Sequence, residues 1–132
     1  MNRRGFLRAV GATGLWLLLT RPALLPAAPK KTADELIRRA LGERRVVQFK
    51  YHGFSRRVEP HALGRVTGDR LALLGWQRSG GSASEPPPGW RTFVLAEIQS
   101  LKLLRINYDP RPDYRPETSK LNSITAEAVA ES

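Results

Sequence analysis

Arg44-Arg45-Val46-Val47-Gln48-Phe49-Lys50-Tyr51 is the stretch that decides the fold. Val47, Phe49 and Tyr51 alternate with Gln48 and Lys50. A period of two puts the apolar side chains on one face and the polar ones on the other, as in a half-buried strand. His52-Gly53-Phe54-Ser55 follows as a turn. Residues 56–59 predict a second strand that stops at Pro60, because proline has no N–H to give a ladder. A further strand is expected over 62–67, turning at Gly68-Asp69. Leu71-Ala72-Leu73-Leu74-Gly75-Trp76 is apolar on both faces and predicts the central strand. Residues 79–89, rich in Ser, Gly and Pro, predict a surface loop. Alternation returns over 90–96, and 98–106 gives a last strand.

Upstream, Thr32-Ala33-Asp34-Glu35 is a capping box, in which Thr32 and Glu35 serve each other's backbone N–H. Leu36, Ile37, Ala40 and Leu41 fall on one helical face, and Gly42 suits a stop, so a helix is expected over 33–42. Downstream, 107–132 carries Pro110, Pro112 and Pro116 with Tyr108 and Tyr114. It is expected to run extended with its tyrosines pinned to the sheet, ending in a short helix or frayed segment over 125–130. One helix followed by five or six short strands, without βαβ alternation, predicts a mainly β fold: a small antiparallel barrel or curled sheet. Closure would remove its exposed edges.

The N-terminus has a different character. Met1-Asn2-Arg3-Arg4-Gly5-Phe6-Leu7-Arg8 reads as a twin-arginine export signal, with Arg3, Arg4, Phe6 and Leu7 as its motif. The apolar stretch 9–20 has 12 residues, fewer than the roughly 20 a spanning helix needs. Leu25 or Pro26 falls where a cleavage site favours a small side chain. The segment is therefore expected either to be removed or to stay as an inner-membrane anchor, with the protein periplasmic and the twin-arginine translocase as a partner. Three regions result: a signal segment at 1–28, a helix-plus-barrel domain at 29–106 and a Pro-rich tail at 107–132.

Charge is unevenly spread. Residues 38–106 carry 13 Lys+Arg against 5 Asp+Glu, a net of +8, whereas 107–132 has a net of −2. A positive field on the folded core favours polyanions such as nucleic acid, anionic lipid or acidic glycans. Cysteine is absent, which excludes disulfides, thiolate metal sites and thiol nucleophiles. His52 and His61 lie nine apart with no carboxylate at ligand spacing. No G-x-S-x-G, Gly-rich phosphate loop or paired acid–base carboxylates occur, so neither enzymatic activity nor a cofactor is expected.

Residues 40–106 resemble the WYL domain, a bacterial Sm-like β-barrel. The resemblance rests on Arg44-Arg45 before a strand ending in Tyr51, then Arg57-Val58-Glu59-Pro60 with Leu63 beyond. Leu73-Leu74-Gly75-Trp76, Arg91-Thr92-Phe93 and Leu95-Ala96-Glu97-Ile98 complete it. The family's Trp-Tyr-Leu aligns with Leu71-Ala72-Leu73, and its late basic residue with Glu97. Members of the family usually follow a DNA-binding helix-turn-helix; with about 31 residues ahead of the helix here, a stand-alone domain is expected. The resemblance implies a sensing domain whose barrel holds a ligand, nucleic acid included, through basic and aromatic residues. The matching positions are Tyr51, Arg57, His61, Arg65, Trp76, Arg91 and Phe93. Read from their own patterns, Tyr51, Trp76 and Phe93 also suit the core, and His61 beside Pro60 suits a turn. The leading expectation is an exported, non-enzymatic module binding an anionic ligand: a nucleic acid, nucleotide or acidic glycan. The alternatives are an envelope protein-interaction module, with a protein partner at the tail, and a cytoplasmic nucleic-acid sensor acting with a transcription regulator. Oligomeric state does not follow from the sequence.

Overall fold

A computed structural model of the protein describes residues 31–130. The export motif of Arg3, Arg4, Phe6 and Leu7 lies outside the described residues. Helix α1 spans Ala33–Glu43. Its capping box forms as the sequence dictates: Glu35 N–H donates to Thr32 Oγ1 at 3.2 Å, and Thr32 N–H donates to Glu35 Oε1 at 2.9 Å. Such a cap stabilises by about 1 kcal/mol. The helix ends on a left-handed Arg44 with φ 56°, two residues later than Gly42 suggests.

Six strands follow: β1 (Arg45–Tyr51), β2 (Phe54–Val66), β3 (Arg70–Gly80), β4 (Gly89–Val94), β5 (Gln99–Asn107) and β6 (Ser123–Glu127). His52 and Gly53, both at positive φ, make the two-residue turn between β1 and β2. That conformation matches the twist of the strands it joins. All pairings are antiparallel, in the order β4-β3-β2-β1-β5. β6 lies beside the second half of β2, which β1 does not reach.

Several expectations are corrected. Residues 54–66 form one strand rather than two: the pairing with β3 shifts between Pro60 and Ala62, and a proline fits such an irregularity. The middle of the sheet is therefore β2, with the apolar β3 next to it. The sheet curls without closing, since β4 and β5 do not pair, so "barrel" describes it only loosely. Residues 123–127 are a strand, not a helix or frayed end.

Parity along the strands gives the sheet two covered faces. On the inner face Val47, Phe49, Val58, Leu63, Leu73 and Phe93 pack with Ile37, Ala40 and Leu41 of α1. The outer face is covered at one end by residues 108–122, which cross it as a strap before β6 joins the sheet and Ala128 enters the inner core. Tyr108 N–H donates to Arg44 O at 3.0 Å, its hydroxyl donates to Pro60 O, and Ala128 N–H donates to His61 O at 2.8 Å. Arg111 lies 4.2 Å above the Trp76 ring and donates to both oxygens of the buried Glu59, at 3.0 and 3.3 Å.

Candidate anionic-ligand cleft

Period-two parity also decides where the charges go. Arg56 shares a face with Val58, so its side chain enters the protein, while Arg57 points away. Arg56 is 5% exposed. Its guanidinium lies 5.4, 5.7 and 5.6 Å from the Tyr51, Phe54 and Phe93 ring centroids. It donates to Tyr51 O at 3.1 and 3.3 Å and to Gln77 Oε1 at 3.3 Å. These acceptors are neutral. Burial, then the nearby Arg91, pull Arg56 below the usual guanidinium range.

Arg56 borders a cleft of about 800 Å³ between β4, the loop at 82–85 and the strap at 113–120. Arg91, Arg115 and Lys120 also line it, with Asp113, Ser82 and Ser84. Among the described residues, none of these four cations forms an ion pair. Arg91 donates to Ser84 Oγ at 3.0 Å and to Glu85 O, but its Nε is buried without a partner. Asp113 accepts from Trp90 Nε1 at 3.3 Å. A unit charge about 4 Å from a guanidinium gains roughly 4 kcal/mol at a partly screened site, against about 1 for a neutral hydrogen bond. A cleft with this lining can hold an anion more strongly than a neutral ligand. A smaller cavity of about 440 Å³ shares Tyr51, Thr92, Ser119 and Lys120 and continues the groove to Arg70.

The WYL domain pattern matches residues 34–103 of this chain. The chain belongs to the WYL domain family. The WYL region carries α1 and most of the sheet, while the strap lies C-terminal to it. No curated protein matches the chain. Among solved structures, the chain is similar to proteasome accessory factor B/C of Arthrobacter aurescens, with a TM-score of 0.54 and 23% identity. That likeness covers 74% of this chain and 16% of the other, and it speaks for the fold.

Of the positions to which the WYL resemblance points, Tyr51, Arg91 and Phe93 line the cleft. Tyr51 and Phe93 are core residues as well, meeting edge to face at 5.0 Å, and Tyr51 Oη accepts the Val94 N–H at 3.0 Å. They form the floor, and the half-buried Trp90 is the aromatic at the rim. Trp76 and His61 do not line the cleft; they lie beneath the strap, directly behind Trp90, with ring centroids 5.4 and 4.7 Å from it. His61 is fully buried rather than a turn residue; its Nε2 accepts the Arg111 N–H at 3.0 Å, which fixes Nδ1 as the donor to Glu59 O at 2.9 Å. Arg57 is exposed and donates to Gln48 Oε1 at 3.0 Å. Arg65 closes the β2–β3 turn, donating to Asp69 O at 2.8 Å. Glu97, at the family's usual basic position, pairs with His52 and lies 3.8 Å from Arg70. Sequence reasoning missed Arg56, Arg115 and Lys120. The parity of Arg56 with Val58 was a usable signal; the strap cations had none.

Proposed function

We propose that this WYL domain is a sensing module whose cleft holds a nucleotide or a short single-stranded nucleic acid. The observation that carries the reading is the set of cleft cations, Arg56, Arg91, Arg115 and Lys120, with no ion pair among the described residues. Arg56 and Arg91 take a phosphate from the sheet side, and Arg115 and Lys120 approach it from the strap. Trp90 offers a base the rim aromatic. A cleft of about 800 Å³ suits a ligand of nucleotide to dinucleotide size and excludes a duplex. Family membership supports a sensing role, exercised on a separate transcription regulator. The chemistry inventory of the sequence supports a non-enzymatic role.

Binding of a fluorescent tetranucleotide tests the proposal. Arg91→Ala and Arg115→Ala each weaken it by about 10-fold or more, and added salt weakens it further. Unchanged affinity in both variants would sink the reading.

A second reading keeps the same cleft but places the protein in the periplasm, as the Arg3-Arg4 motif favours. The ligand would then be an envelope polyanion or an acidic glycan. Fractionation of the tagged full chain, beside an Arg3→Lys, Arg4→Lys variant, separates the two. Periplasmic wild type with the variant trapped inside establishes export. Both in the cytoplasm leaves the regulator-linked sensor.

A further inference from the structure

The strap covers only one end of the outer face. At the other end, two adjacent cross-strand rows stay open. The first runs Ser79, Arg57, Gln48 and Lys102 across β3, β2, β1 and β5. The next runs Ser55, Lys50 and Gln99 across β2, β1 and β5. Six of the seven side chains are exposed and Gln48 is half-buried. None of the seven is apolar and none is acidic. Lys50, Arg57 and Lys102 form no ion pair among the described residues.

Without an apolar side chain, these rows have nothing to bury against a protein partner. An isolated phosphate in open solvent gains only about 1 kcal/mol from each cation and would not stay. A polymer of phosphates engages all three cations together and releases its counterions, which makes weak contacts add up. Arg57 and Lys102 stand two strand spacings apart, about 10 Å, a span that an extended backbone bridges and a single anion does not. We infer that this outer face, centred on Lys50, Arg57 and Lys102, is a sequence-independent contact for the phosphate backbone of duplex nucleic acid. It is separate from the cleft, and neither site needs the other.

The test is fluorescence anisotropy of a labelled random-sequence DNA duplex of about 20 base pairs across a salt series. The wild-type protein binds, and the Lys50→Ala, Arg57→Ala, Lys102→Ala variant binds at least about 10-fold more weakly, with a salt slope shallower by about 2–3. Lys50→Arg with Lys102→Arg keeps wild-type binding. Arg91→Ala leaves duplex binding unchanged, so the two sites fail separately. Equal thermal melts of the variants confirm that the fold is kept. The inference is overturned if the wild type does not bind the duplex at low salt, or if the triple variant binds it as well as the wild type. It is also overturned if the triple variant loses binding only to phosphatidylglycerol vesicles, which would make the face a lipid contact.

Discussion

His61 sits between the sheet and the strap with both ring nitrogens engaged and Trp90, Tyr108 and Tyr114 around it. Burial holds its pKa below the ordinary 6.5, against the opposing pull of Glu59. The unfolded chain therefore takes up the proton first. The stability this site contributes is complete above pH 6.5 and is lost as pH falls from there towards the folded value. Glu43 and Glu97, held below 4.5 chiefly by Arg39 and His52 respectively, titrate lower than that window. The melting temperature is expected to drop as pH falls below 6.5, and His61→Gln, which keeps an acceptor but cannot titrate there, flattens the drop. A profile with the same slope in the variant would remove His61 as the source. The sequence hid this role because a histidine beside a proline looks like a turn. Only the strap, 50 residues away, makes it a buried acceptor. Arg56 was more accessible to reasoning, since Val58 two residues on already marks the inward face.

At the scale of elements, α1 and the alternating strands could be read because their periods are strong and local. The single strand through Pro60 could not, because local rules stop a strand at proline and only the register shift against β3 accommodates it. The strap was legible in its extended course and its tyrosine anchors, but not in its pairing. β6 is short and mostly exposed, so it shows no clear alternation. What admits it is Gly64: a Cβ there would collide with Ser123 O of β6. Gly64→Ala is expected to cost about 1–3 kcal/mol in chemical denaturation and to loosen the strap. Because Arg115 and Lys120 travel with the strap, tetranucleotide affinity should fall as well. A variant with wild-type stability and affinity would show that β6 does not position the cleft wall. Tyr108→Phe is a milder probe; it removes the hydroxyl bond to Pro60 O and should cost about 1 kcal/mol.

For the whole molecule, the net charge of +8 over 38–106 was plain in the sequence, but its division was not. Arg56 and Arg91 enter the cleft, where Arg115 and Lys120 of the tail join them; another set lies on the outer face, and a third is spent on Asp34, Glu43, Glu59, Asp69 and Glu97. Only strand parity and the strap separate them. The sheet that stops short of closing has a further consequence. It leaves β4, β5 and β6 each with one unpaired edge, the situation in which copies of a protein stack edge on edge. The loop and strap flank β4. The free edge of β5 carries Lys102 and Arg105, both exposed, and its pairing is broken by shifts near a left-handed Ser100. Like charges and an irregular edge make a poor template for a second molecule. Replacing Arg105 with valine should leave the folded monomer intact yet increase light scattering on concentration. In this chain, the guard against edge-to-edge pairing is the outer edge of β5 itself.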